Sequence, residues 1–357
     1  MISNTSYREV SRQWRTKINE SPDYLIVRND SVFRAGFSRS YILESDYQAT
    51  RNLKDGLMAR YNGMVVEEVF DGTEIDTPDG ECFVINTPTD IRVPRPDPEQ
   101  VRKRLLLDLT LIQGIGPVTA GRLRRRGHRT IEDLLSFRRF RARAEECVDR
   151  IRNGTPADVV SLIERRHSSS HPLSLLASGL YGSEAYLFLD LETLGFFSRP
   201  IILFGFATIV NQRLVVHQVL VRKMGEEFPA LGLVGSRMKE KPVIVSYNGK
   251  TFDIPYLISR AAFYGDMMEK PGHHIDLLHA SRRSAGHLVR DCRLGTIEQH
   301  FLGTRRTHDL PGSMVPEFYE TYLHSGNPGP LVPIVEHNLQ DVTSLGKLLS
   351  FFLEGPA

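Results

Sequence analysis

The spacing of apolar and polar positions divides the chain into a mixed amino-terminal part, a helical middle and a carboxyl-terminal run of strands and helices. Residues 6–19 and about 43–61 carry helical spacing, whereas "MVVEEVF" and "GECFVINTP", either side of the turn signal "TPDG", predict a β-hairpin. "NTPTDIRVPRPDPEQ" has the Pro-rich, polar composition of a linker and sets a boundary near residue 95. Helical periodicity then runs from about 99 to 166, and "RRHSSSHPLS" marks a second break. Beyond it the pattern predicts strands at 186–191, 201–209, 214–221 and 243–246, and helices near 254–264, 291–301 and 334–353. Three strands in succession, followed by strand and helix in alternation, predict an α/β sheet layered with helices. Three units follow: 1–95, a small α+β region to which no chemistry attaches; 96–172, helical; and 180–357, the α/β unit.

Composition adds the class. A chain of 357 residues with 41% hydrophobic and 25% charged residues is globular and long enough for several domains. The start lacks a secretory pattern and no apolar run is long enough to span a bilayer, so the expectation is a cytoplasmic protein without a membrane partner. Cys82, Cys147 and Cys292 lie far apart, which argues against a disulfide framework, a zinc site or an iron–sulfur cluster. Any metal must be held by oxygen ligands and histidines. The net charge of +2 hides an uneven distribution: Gly121 to Arg143 holds nine arginines against Glu132 and Asp133. Such a run is either a solvated helix face or the footprint of a polyanionic partner.

Within the helical middle, "LIQGIGPVTAGRLRRRGHRTIEDLL" carries Gly114 and Gly116 for a tight turn and Pro117 for the first turn of a helix. Free amides at that helix start, near Gly116 and Thr119, suit a phosphate. Arg122, Arg124, Arg125 and Arg126 add salt-sensitive contacts, and Thr130 is a candidate N-cap for the next helix. The plain alternative is a Gly-Pro connector with a basic surface. The stretch resembles the helix-hairpin-helix motif of DNA repair and recombination proteins, a likeness of about 25 residues. That resemblance implies contact with the DNA backbone without sequence specificity.

"YLFLDLETLG" sets Asp190 and Glu192 on one face of an otherwise apolar strand, about 6.6 Å apart. Burying unpaired carboxylates is costly, so they belong at the strand's end, in a cleft where they converge on metal ions. "VIVSYNGKTFDIPYLISR" reads as a buried strand, a loop with Asn248 and Gly249, and a helix opening at Asp253, which alone would pass for an N-cap before Pro255. The last helix places His337 and Asp341 four apart at the head of an apolar stripe.

Together these positions resemble the DEDD superfamily of 3′-to-5′ exonucleases, and most closely its prokaryotic YprB-type branch, over nearly all of residues 184–354. The resemblance implies an RNase H-like mixed sheet flanked by helices. "FLDLETLG" is similar to the first motif, "SYNGKTFDIPYL" to the second and "HNLQDVTSL" to the third. Asp190, Glu192, Asp253 and Asp341 are thereby implied as metal ligands and catalytic residues, with Asn248, Thr193 and Lys250 on the substrate. One departure is visible: the third motif usually has a Tyr four residues before the Asp or a His five before it, and here His337 sits four before. It either positions the attacking water, as the Tyr would, or acts as general base.

The implied activity is phosphodiester hydrolysis with two Mg²⁺ or Mn²⁺ ions, a 3′-to-5′ exonuclease acting on DNA, single-stranded or at a 3′ end. The rivals are a ribonuclease, a junction- or flap-cutting endonuclease, and a non-catalytic DNA-binding adaptor. "PGHHIDLLHA", with His273, His274, Asp276 and His279, is a competing metal cluster, but its histidines lack tight ligand spacing and Asp276 reads as a helix cap. Arg282, Arg283, Arg305 and Arg306 are further candidates for phosphate contact that the sequence does not distinguish from surface charge.

Overall fold

The computed structural model describes residues 24–27, 40–195, 199–306 and 310–354; the helix expected over 6–19 lies outside them. Two strands, β1 (Tyr24–Val27) and β2 (Ser40–Leu43), pair in parallel as a small sheet. Seven more form the main sheet: β3 (Gly72–Thr77), β4 (Gly80–Arg92), β5 (Tyr186–Thr193), β6 (Ile201–Val210), β7 (Arg213–Leu220), β8 (Val243–Ser246) and β9 (His273–Asp276). Their order is β3-β4-β7-β6-β5-β8-β9, antiparallel from β3 to β5 and parallel from β5 to β9. The apolar run "IILFGFATIV" makes β6 a central strand, because covering both faces of a sheet requires apolar residues on both.

Leu187, Leu189 and Leu191 of β5 pack with Ala230, Leu231 and Val234 of the helix Glu227–Lys239 and with Leu257 of the helix Asp253–Phe263. Phe188 faces the other layer, where Val342, Leu345, Leu348 and Leu349 of the terminal helix Leu331–Glu354 lie. That layer runs on without a break into Leu105, Ile112, Leu134, Ile151 and Ile163, so the helical segment and the sheet share one core.

The amino-terminal pattern is where expectation and structure part. "MVVEEVF" is not the first hairpin strand: Val66–Val69 is a short helix, with Glu68 Oε2 accepting the Val65 N–H at 3.0 Å. The hairpin is instead β3 and β4. The expected boundary near 95 also fails to separate a region, because β4 pairs antiparallel with β7 from Phe83 to Arg92 and so belongs to the main sheet. Much of the supposed linker is strand. Pro88 lies where β3 has already ended at Gly72, opposite Ile85, so its missing N–H falls on an open edge and removes no ladder bond. The helix expected over 291–301 is a short helix, Leu294–Ile297, that widens into a π turn, Glu298–Leu302.

Candidate active site

β5 pairs with β8 only as far as Phe188, opposite Val245, so Asp190 and Glu192 project past the end of β8 into the crevice at the strands' carboxyl ends. In open α/β sheets such crevices are where ligands bind. The register between β5 and β6 shifts between Glu192 and Thr193, an irregularity of the kind that re-aims a side chain. Asp253 opens the helix after β8 but does not cap it. Its Oδ1 accepts the Leu191 N–H at 3.1 Å and ties the helix start to β5. The terminal helix supplies His337, Asn338 and Asp341.

These elements bring the four acidic residues into one electrostatic neighbourhood. Burial, and then repulsion from Asp341, Glu192 and Asp253, pushes the Asp190 carboxyl well above the usual range. Burial raises Asp253 to about 7, against the lowering effect of its backbone hydrogen bonds. Asp341 is raised by burial and held back by His337 and Arg306. His337 Nε2 stands between two of them, 3.9 Å from Glu192 Oε1 and 3.7 Å from Asp341 Oδ2. Its Nδ1 lies 3.5 Å from Arg306 NH1, and a guanidinium only donates. That contact suits a lone pair on Nδ1 and leaves Nε2 as the donor toward the two carboxylates.

Three of the four carboxylates are turned toward a protein group. Asn338 donates to Asp190 Oδ2 at 2.9 Å and accepts from Gln218 Nε2 at 2.9 Å. Asp253 takes the Leu191 amide, and Asp341 Oδ1 is paired with Arg306 NH2 at 2.5 Å. Among the described residues, no three acidic, histidine or cysteine side chains are arranged to hold an ion, so the expected convergence at metal-bridging distance is not met. The donor set nevertheless fits a hard divalent cation. It consists of carboxylate oxygens, and their mutual repulsion is relieved by positive charge.

The other expected site residues lie in supporting roles. Thr193 Oγ1 donates to Gly195 O at 2.9 Å. Lys250 Nζ donates to Ser169 O and Oγ, both at 2.9 Å, which ties it to the helical segment. Asn248 is exposed in a left-handed turn, φ 65°, and its N–H donates to Asp276 Oδ1 at 2.8 Å. Asp276 also accepts from the Lys250 and Leu278 amides, so it is a cap and loop anchor, as its place before "LL" suggested. His273 Nε2 is 3.1 Å from Ser174 O and His274 Nε2 is 2.7 Å from Ser246 Oγ; burial lowers them to about 4 and about 3.

In the helical segment, Gly114 has φ +92° and Gly116 precedes the helix Pro117–Arg125. Arg122, Arg124, Arg125 and Arg126 are all exposed, and Thr119 is partly so. Thr130 Oγ1 accepts the Asp133 N–H at 3.2 Å, and Asp133 Oδ2 accepts in return from Thr130 and Arg129. The next element is a 3₁₀ turn, Glu132–Ser136, shorter than the helix expected there, and its N-cap position is Ile131 and not Thr130.

Sequence reasoning missed Asn338, Gly205, Gln218 and Glu298. The available signals were a glycine in the middle of a buried strand, which marks close approach, and an asparagine inside an apolar helix stripe.

Residues 187–352 match the RNase_H_2 family of the RNase_H superfamily. The carboxyl-terminal part is thus an RNase H-like domain preceded by a helical region. Members of that superfamily are generally nucleases that use divalent metal ions. Over 183 residues the chain is 36% identical to "Uncharacterized protein YprB" of Bacillus subtilis (strain 168), covering 49% of this chain. The chain spans 43% of that relative's length. A family B DNA polymerase from the archaeon Pyrobaculum calidifontis is 20% identical, with a TM-score of 0.37, over 45% of this chain and 24% of the polymerase. Among the described residues, no helix is long and apolar enough to cross a membrane.

Proposed function

We propose that this protein is a metal-dependent nuclease, a 3′-to-5′ exonuclease acting on DNA. The observation that carries the reading is the shared electrostatic neighbourhood of Asp190, Glu192, Asp253 and Asp341, from three separated segments, with His337 beside Glu192 and Asp341. The match of this part of the chain to a superfamily of nucleases supports it.

Asp190, Glu192, Asp253 and Asp341 are the residues that would hold two Mg²⁺ or Mn²⁺ ions. When bound, such ions supply a nucleophilic hydroxide at neutral pH and charge relief on the phosphoryl and leaving oxygens. The chain's own groups do the rest. Asn338 fixes the Asp190 carboxylate against Gln218, so its outer oxygen keeps one direction. His337, with its proton on Nε2, orients the attacking water by donating to it, the role a Tyr hydroxyl would fill in the same register. The exposed arginines after Gly116 hold the DNA backbone without reading bases.

The test is digestion of 3′- and 5′-labelled single- and double-stranded DNA with Mn²⁺ or Mg²⁺, beside circular DNA and RNA. Shortening from the 3′ end is expected, lost in Asp190→Asn and Asp341→Asn while binding persists. Cleavage of circles, preference for RNA, or undiminished activity in both variants would each overturn the assignment.

A further inference from the structure

Among the basic residues near the site, Arg306 stands apart. Arg282, Arg283 and Arg305 are exposed, and Arg283 donates to Ser170 O. The Arg306 side chain is 12% exposed and fixed by Glu298, which is fully buried. Nε donates to Glu298 Oε2 at 2.7 Å and NH2 to Oε1 at 2.8 Å, the planar fork that suits a carboxylate. Glu298 is aimed by the π turn that follows Leu294–Ile297, and π turns recur at functional sites. So anchored, the same NH2 reaches Asp341 Oδ1 at 2.5 Å.

We propose that Arg306 is a built-in counter-cation that occupies Asp341 in the metal-free protein and competes with the divalent ion for that carboxylate. The proposal rests on the metal-dependent reading above and deepens it. Without metal, Asp341 would add a charge to a neighbourhood already crowded by Asp190, Glu192 and Asp253, and Arg306 offsets it. A metal ion that takes Asp341 through Oδ1 must displace Arg306 from it. Apparent metal affinity is then reduced by the fraction of molecules in which that ion pair is intact. The residue sets a threshold of free metal below which the carboxylate cluster stays closed.

Mn²⁺ titration by calorimetry, with free Mn²⁺ followed by electron paramagnetic resonance, reads this without any turnover. The variant of choice is Glu298→Gln with Arg306→Gln, which removes the buried partners together and leaves the net charge of the site unchanged, so a shift reports competition and not overall potential. Expected is Mn²⁺ binding about tenfold tighter, about 1.4 kcal/mol, with the difference abolished in an Asp341→Asn background. Melting in the absence of metal checks the fold. Arg306→Lys, which keeps Glu298 paired but loses the fork, is expected to tighten binding severalfold and serves if the double variant does not fold. Unchanged or weaker Mn²⁺ affinity in a folded variant overturns the proposal while leaving the nuclease reading intact. Failure of the wild-type protein to bind Mn²⁺ at all overturns both.

Discussion

Asn338 Nδ2 meets Asp190 Oδ2 at 2.9 Å across the space left open by Gly205. Gly205 lies between Asp190 and Gln218 in the sheet register, and a Cβ there would overlap the Asn338 amide. Gly205→Ala therefore drives a fully buried amide off both partners. It should cost roughly 2–4 kcal/mol, read as a lower urea midpoint at unchanged slope, and should depress nuclease activity with it. Wild-type stability in this variant would mean that the bridge is dispensable.

The position of His337 predicts an asymmetric series. His337→Ala should lower metal-dependent turnover by about 10²–10⁴. His337→Tyr should retain activity within roughly tenfold of wild type, because a hydroxyl in that register donates to the same water. If the two variants fall equally, the ring acts as a proton acceptor and the Nε2 proton assignment is wrong.

Arg122, Arg124, Arg125 and Arg126 are exposed in a row after Gly116. Replacing all four with Ala should weaken binding to unrelated DNA duplexes alike. The slope of log affinity against log salt should flatten by about 0.9 for each arginine that touches a phosphate. Fluorescence anisotropy at several salt concentrations measures both effects, and an unaltered slope would assign these arginines to solvent alone.

His273 and His274 give the fold an acid-sensitive term. Burial lowers them from 6.5 to about 4 and about 3, so the folded state holds them neutral while the unfolded chain protonates them. Their contribution is complete above pH 6.5 and is lost as pH falls toward 4, at up to about 1.4 kcal/mol per pH unit for each ring. Asp253, raised to about 7, acts in the opposite direction over the same window, since protonation there favours the folded state. Comparing wild type with His274→Gln, by urea unfolding at pH 7 and 4.5, isolates the imidazole term. The variant should lose less stability on acidification.

How much of this was legible depends on the kind of physics involved. β5 could be read because an apolar alternation interrupted by two acids has few explanations. Asp341 and His337 could be read because helical periodicity puts them on the inner face of an apolar stripe. Arg306 could not be told from Arg305, because burial and the Glu298 fork are tertiary facts that adjacent positions do not encode. Asn338 sat unremarked beside His337, since its value lies in Gln218 and Gly205, on strands distant in sequence. Only the second half of β4 reads as a linker, because Pro88 and its polar neighbours suit an open edge as well as a connector.

The pairing of β4 with β7 bears on any attempt to dissect the molecule. The hairpin β3–β4 that precedes the helical segment belongs to a sheet whose other five strands follow it, so the helical segment is spliced into the domain and not attached in front of it. A fragment starting after residue 95 would leave the β7 backbone amides and carbonyls without partners along one side, a template for strand-to-strand self-association. Expressed alone, such a fragment should precipitate or pair with itself.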